Sequence, residues 1–64
     1  MLTLEKIRKV AERLSEEKRI TIKIDHHIKI RKWENTIKIE TPHQTNKEYL
    51  EECLKFYLPY LEIK

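Results

Sequence analysis

Two adjacent histidines, His26 and His27, have the side chains in this sequence best suited to acid-base chemistry. Imidazole changes its protonation state near neutral pH, so it can act as a general acid or a general base. In RNA cleavage the 2′-hydroxyl supplies the nucleophile, and a histidine is a natural group to activate it. Both imidazoles can act together only at a turn, because neighbours on a continuous strand point to opposite faces. The alternative is that they are simply polar turn residues.

The sequence contains no recognised motif for binding a metal ion or a nucleotide. His26, His27, His43 and Cys53 show no recognised ligand spacing, so we expect no metal site. The sequence contains no glycine, which excludes glycine-rich phosphate loops and the nucleophile elbow. We therefore expect no cofactor.

Length and composition predict one small domain spanning residues 1–64. The single cysteine cannot form an internal disulfide and suits a reducing compartment. No apolar run approaches the roughly 18 residues of a membrane span, so we expect a soluble, cytoplasmic protein with no membrane partner. Charged residues reach 39%, which is typical of proteins from thermophiles, so we expect an archaeal source, although a designed chain would share this composition.

The segment that carries the two histidines has isoleucine at every even position from 20 to 30 except 26. Asp25, His26 and His27 interrupt this period of two. One interpretation is a single long strand over residues 19–32. The other is two strands joined by a loop at residues 25–27, which we favour because aspartate is disfavoured inside strands and five or six residues is the usual strand length.

The register of the pairing also favours a loop. A three-residue loop pairs Ile24 with Ile28 and Ile22 with Ile30, so that every isoleucine lies on one face. A two-residue loop would place isoleucine opposite lysine and bury charge. Such a three-residue loop favours glycine at a left-handed position, which His27 would occupy here.

The two helices and the third strand are predicted from the spacing of apolar residues and from capping and turn residues. Residues 4–17 predict a helix with Thr3 as its N-cap and an apolar face, formed by Leu4, Ile7, Val10, Ala11 and Leu14. A turn at Glu34 and Asn35, with asparagine supplying a positive φ, leads into a third strand over residues 36–41.

A second helix is predicted to open at Thr45, with Glu48 completing a capping box, and to end before Pro59. Its apolar stripe consists of Leu50, Cys53, Leu54, Tyr57 and Leu58. The predicted fold is therefore α+β, with the order α-β-β-β-α. It has a three-stranded antiparallel sheet, and both helices pack on its isoleucine face.

The other face of the sheet is predicted to be exposed and basic. It would carry the candidate RNA-binding residues Lys23, Lys29, Arg31, Trp33 and Lys38. The lysines and the arginine would contact phosphates, and the tryptophan would stack or pack at the rim. The alternative is a solvated face on which lysine serves solubility.

Tyr49, Phe56 and Tyr60 form a second stripe on the second helix. Together with the core stripe, they make the apolar band wider than one small sheet needs. They cover the core and the sheet edge or, alternatively, serve as protein-contact candidates for a neighbouring protein or a homodimer.

The helix and strand order resembles two groups of RNA-associated proteins. These are the ribosomal protein thirty-eight family of the archaeal and eukaryotic large subunit, and the Alu-domain proteins of the signal recognition particle. "LEKIRKV", "ITIKI", "HIKIRK" and "ECLKFYLP" are similar to successive segments of the ribosomal family. "RKWENTIKIE" departs from it, since that family has a more basic and aromatic strand there. The resemblance implies a non-enzymatic RNA-binding component of a ribonucleoprotein particle, most simply the ribosome, with rRNA or another folded RNA as partner.

A second resemblance is to HicA-type mRNA interferases, toxins that share the α-β-β-β-α order. "IDHHIKI" is similar to the "GSHH"-like stretch of that family, with Ile24 and Asp25 in place of its glycine and serine. The resemblance implies an endoribonuclease in which His26 or His27 is catalytic.

Overall fold

The computed structural model describes residues 2–64 and contains two helices and a four-stranded sheet. In chain order the elements are α1 (Leu4–Glu16), β1 (Arg19–Lys23), β2 (Lys29–Trp33), β3 (Thr36–Glu40), α2 (Gln44–Tyr57) and β4 (Glu62–Ile63). The strands lie in the order β1-β2-β3-β4. The α+β class and the succession α-β-β-β-α are confirmed.

Helix α1 begins where its capping residue predicts. The hydroxyl of Thr3 accepts a hydrogen bond from the backbone N–H of Lys6 at 3.2 Å, which satisfies one of the unpaired donors of the first turn. The apolar face is buried, with one exception. Leu4 lies on the same face in the first turn but is mostly exposed, because it projects past the end of the sheet-facing layer.

The isoleucine-rich segment folds as two strands and a loop. The N–H of Ile24 donates to the carbonyl of Ile28 at 3.0 Å, and Ile22 lies opposite Ile30. The single-strand alternative is therefore wrong. The prediction that His27 takes a left-handed conformation is also wrong. Glu34 is the only residue of the described chain, 2–64, with a positive φ. The Asp25 carboxylate instead accepts the His27 N–H at 2.8 Å and closes the loop as an Asx turn.

The connection between β2 and β3 is a two-residue turn. Trp33 pairs with Thr36, and Glu34 has a φ of 56°. The prediction of a left-handed Asn35 is therefore wrong, because the favoured two-residue hairpin turns require a positive φ at their first central residue. A residue with a Cβ in this conformation costs roughly 1–2 kcal/mol. The carboxylate of Glu34 offsets part of this through an ion pair with Arg19 at 3.3 Å.

The sheet has a fourth strand, so the prediction of a three-stranded, wholly antiparallel sheet is wrong. After α2 the chain returns beside β3, and β4 pairs with it in parallel, Thr36 opposite Glu62 and Ile37 opposite Ile63. The N–H of Glu62 donates to the Asn35 carbonyl at 2.8 Å, and that of Lys64 to the Ile37 carbonyl at 2.9 Å. A strand of two residues is too short to show a period of two in the sequence.

Helix α2 begins before the predicted capping box. Its first hydrogen bond runs from the N–H of Lys47 to the His43 carbonyl at 3.1 Å, and His43 is an N-cap without a side-chain hydrogen bond. Thr45 therefore lies inside the first turn. The chain turns earlier because the Thr41 hydroxyl accepts the His43 N–H at 3.3 Å. The predicted end is confirmed, since Tyr57 is the last helical residue before Leu58 and Pro59.

Both helices pack on the isoleucine face of the sheet. The buried apolar residues form one cluster, consisting of Ile7, Val10, Ala11, Leu14, Ile28, Ile30, Ile37, Ile39, Leu50, Leu54, Leu58 and Leu61. Lys32 also lies on this face, between Ile20 and Ile37, and is only 8% exposed. Its ammonium group donates to the carbonyls of Leu14 and Glu17 at the end of α1.

Truncation of the two central isoleucines should have unequal costs. Ile30 is fully buried and Ile22 only partly so. Ile30→Ala should lower the free energy of unfolding by about 2–5 kcal/mol, as core truncations do, and Ile22→Ala by less. Urea denaturation followed by circular dichroism measures both. Equal costs would contradict the burial of Ile30 beneath the helices.

Candidate nucleic-acid interface

The face of the sheet opposite the two helices, here called the open face, is arranged in three rows across the strands. Antiparallel pairing places directly opposite residues on the same face, so the register fixes each row. The rows are Arg19, Trp33 and Thr36; Thr21, Arg31 and Lys38; and Lys23, Lys29 and Glu40. All five candidate RNA-binding residues, Lys23, Lys29, Arg31, Trp33 and Lys38, therefore lie on one surface.

Two of these rows contain like charges in direct opposition. Lys23 lies opposite Lys29, and Arg31 lies opposite Lys38. Like charges directly opposite on a sheet are destabilising. One carboxylate relieves part of the repulsion, since Glu40 Oε1 lies 3.1 Å from Arg31 Nε and Glu40 also stands opposite Lys29. The open face therefore keeps an excess of positive charge.

The aromatic residue of the open face is held by an arginine that the sequence analysis did not single out. The guanidinium carbon of Arg19 lies 4.0 Å from the ring centroid of Trp33, a cation–π contact. The Trp33 side chain nevertheless remains 63% exposed. A shallow groove of about 580 Å³ runs beside it and is lined by Arg19, Ile20, Thr21, Arg31, Lys32, Trp33, Thr36 and Lys38.

The loop at residues 25–27 lies at one end of the open face and forms a second concavity of about 370 Å³. His26 and His27 are exposed and line it, as do Lys23 and Lys29 from the adjoining row. His43 approaches from the start of α2, and its ring centroid lies 6.0 Å from that of His27 at an interplanar angle of 81°. Sequence reasoning gave His43 no role beyond a rejected metal site, because no local pattern relates it to a loop sixteen residues earlier.

Asp25 fixes the shape of this loop through its carboxylate. The hydrogen bond from the His27 N–H outweighs the effect of desolvation and lowers the pKa of the Asp25 carboxyl group below its ordinary value. The loop is therefore held most firmly when Asp25 is ionised.

The three protein-contact candidates, Tyr49, Phe56 and Tyr60, are exposed, and Tyr60 lies in the turn after α2 rather than on the helix as predicted. Phe56 is 80% exposed, Tyr60 62% and Tyr49 40%. Tyr60 lines a groove between the two helices together with Tyr57 and Leu58. Phe56 packs edge-on against Tyr57, with ring centroids 5.4 Å apart. The high exposure of Phe56 and Tyr60 leaves them little part in covering the core, whereas Tyr49 is more than half covered. A role of these side chains in protein contacts stays a prediction.

Comparisons of the chain with protein-family models, with curated proteins and with solved structures find no match. Neither α1 nor α2 is long and apolar enough to cross a membrane. Within residues 2–64, no three histidine, cysteine, aspartate or glutamate side chains converge in a way that could hold a metal ion.

The Asx turn should make stability depend on pH through Asp25. Because its pKa is lower in the folded chain than in the unfolded chain, its contribution is present above the unfolded value, about 4. It is lost as pH falls through the folded value. Asp25→Ala should therefore destabilise the protein more at pH 7 than at pH 3, as measured by urea denaturation at both values. Asp25→Asn, whose amide oxygen can still accept the hydrogen bond, is the matched control. An equal effect of Asp25→Ala at both pH values would contradict this role.

Proposed function

We propose that the protein binds RNA through its open face. The observation that carries this proposal is the direct opposition of Lys23 with Lys29 and of Arg31 with Lys38. Each pair lowers the stability of the isolated domain, because like charges repel. When a polyanion lies across the sheet, the same charges attract it, so their interaction energy becomes favourable. A solubility role alone would be met equally well by lysines that alternate with neutral or acidic neighbours.

The neighbouring row adds an aromatic contact to the positive charge. Base stacking on an exposed aromatic ring contributes about 1–3 kcal/mol and tolerates any sequence. Trp33 is exposed beside the groove on the open face, and Arg19 holds its ring in place. Lys23, Lys29, Arg31 and Lys38 would contact phosphates. Recognition would rest on backbone and shape, as is usual for folded RNA.

The resemblances to ribosomal protein thirty-eight and to the Alu-domain proteins favour a structural role in a ribonucleoprotein particle. In such a particle the RNA partner is rRNA or another folded RNA. No catalytic step is required of the open face for this role.

The RNA affinity should fall with salt and with the charge of the open face. For an RNA stem-loop, the logarithm of the binding constant should decline linearly with the logarithm of salt concentration, by roughly 0.7–0.9 per phosphate contact. Reversing both charges with Lys29→Glu and Arg31→Glu should weaken binding to all RNAs alike and reduce that slope by about 2. Fluorescence anisotropy over a salt series measures both quantities.

A charge-matched control is available on α1. Lys6→Glu combined with Arg8→Glu changes the net charge by the same amount on exposed positions of the helix layer, away from the open face. This variant should keep most of the affinity and the salt slope. Equal losses in the two double variants, or a binding constant independent of salt, would contradict binding at the open face.

A second candidate function is cleavage of the bound RNA, favoured by the approach of His43 to His27. One imidazole would take the proton from the 2′-hydroxyl, whose oxygen attacks the adjacent phosphorus. The other would protonate the departing 5′-oxygen, leaving a 2′,3′-cyclic phosphate. Lys23 and Lys29 line the concavity that also contains His27, and they would stabilise the charge that develops on the phosphate.

The ribonuclease function predicts specific losses. His27→Ala and His43→Ala should each abolish cleavage of a labelled RNA assayed between pH 5 and 8, while the melting temperature changes little because both side chains are exposed. His26→Ala serves as the neighbouring control and should keep activity. No cleavage by the purified protein, or cleavage that survives both substitutions, would eliminate this function and leave RNA binding untouched.

A further inference from the structure

Strand β1 has an outer edge whose hydrogen-bonding groups are directed away from its neighbour. On β1's side, the bonds to β2 at the two ends of the pairing involve Lys18 and Ile24, at 2.8 and 3.0 Å. In an antiparallel pair the residues that bond to the neighbour alternate, so even-numbered residues face β2. The N–H and C=O groups of Arg19, Thr21 and Lys23 therefore point outward, and β1 is the terminal strand of the sheet.

A groove runs between this edge and α1. It has a volume of about 360 Å³ and is lined by Lys9, Val10, Arg13, Ile20, Thr21, Ile22 and Lys23. Its floor is apolar, and Ile20 and Ile22 are only partly buried there, unlike Ile30 and Ile37 in the middle of the sheet. Its rim is cationic on both sides, with Lys9 and Arg13 on the helix and Lys23 on the strand.

We propose that this groove binds an extended acidic peptide, which joins the sheet as an additional strand beside β1. Strand addition supplies main-chain hydrogen bonds for affinity, and alternate side-chain positions for specificity. Side chains of the peptide that face the helix layer would be apolar and would cover Ile20, Ile22 and Val10. Those that face the open face would be glutamate or aspartate, beside Arg19 and Lys23.

A second copy of this chain fits the edge poorly. Two β1 strands paired antiparallel around Thr21 would place Arg19 of each copy opposite Lys23 of the other. Directly opposed like charges are destabilising, and edge lysines are a common means by which proteins prevent such self-pairing. If the added strand carried acidic residues where a second copy carries Arg19 and Lys23, both contacts would be attractive.

RNA also fits this groove less well than a peptide does. Its phosphates could reach the cationic rim, but a polynucleotide backbone cannot reproduce the alternating donors and acceptors of a strand. It would also leave the apolar floor against polar groups. A peptide uses the rim, the floor and the outward N–H groups together.

The test uses an eight-residue peptide that alternates glutamate and valine, labelled with fluorescein. Two control peptides have the same length. One has the same composition in two blocks, and the other alternates lysine with valine. Fluorescence anisotropy should show the alternating acidic peptide binding at least about tenfold more tightly than either control.

Hydrogen exchange locates the peptide on the strand. In the free protein the amide hydrogens of Arg19, Thr21 and Lys23 should exchange quickly, and those of Ile20 and Ile22 slowly. Saturating acidic peptide should slow the exchange of the first three, while the other two serve as an internal reference. An oligouridylate used in place of the peptide should leave the outward amides unprotected.

A substitution at the centre of the edge completes the test. Thr21→Pro removes one outward N–H without removing a bond to β2, since proline is tolerated where an edge N–H faces solvent. It should weaken peptide binding by roughly tenfold, and Thr21→Val, which keeps the N–H, should not. Circular dichroism checks that both variants are folded.

Three results would overturn the proposal. The first is equal binding of the acidic and basic peptides. The second is binding without protection of the outward amides. The third is protection of those amides by the oligouridylate, which would assign the edge to RNA instead.

Discussion

The constraint on which this fold depends is that the sheet has a single apolar face. Both helices must pack on the same side, so each isoleucine has to point there and each loop has to preserve the alternation. The three-residue loop after Ile24 keeps even positions buried in β2. The two-residue turn after Trp33 shifts the buried positions to Ile37 and Ile39 in β3. A change of one residue in either loop would exchange the two faces of a strand. The open face does not pack against a helix. Its side chains are therefore not restricted by core packing and can be suited to binding.

Lys32 is the one charged residue of the described chain that is buried on the apolar face. Its place is explained by the carboxyl end of α1, where the last carbonyls of a helix lack partners and carry partial negative charge. The ammonium group donates to two of these carbonyls, those of Leu14 and Glu17, while the aliphatic part of the side chain packs among the isoleucines. This contact joins the end of α1 to the middle of the sheet. It therefore helps to set the position of α1 beside β1, on which the groove at the sheet edge depends.

The sequence predicts those elements that periodicity and local caps determine. The cap at Thr3, the apolar face of α1 and the pairing of Ile22 with Ile30 all follow from side chains close together in the chain. What it does not predict depends on contacts between distant segments. β4 is a strand only because β3 offers it an edge, and His43 meets His27 only because α2 starts beside the loop. Glu34 takes the left-handed position because the turn geometry outweighs the preference of Asn35. The rows of the open face are predictable once the two loop lengths are chosen correctly, since register alone places Lys23 beside Lys29.

The two proposed binding sites share Arg19 and Lys23, and that sharing has an energetic consequence. A strand added beside β1 would bring acidic side chains next to these two residues on the open face and neutralise part of the charge that RNA would contact. Each ligand would therefore weaken the binding of the other, and by the same factor, because coupling between two binding equilibria is reciprocal. The size of this antagonism would depend on salt, since exposed charges are screened over about 8–10 Å at physiological ionic strength. Arg31 and Lys38, one and two strands further into the sheet, would be affected less than Lys23. An acidic partner at the edge would thus reduce RNA binding in a graded way rather than block the open face.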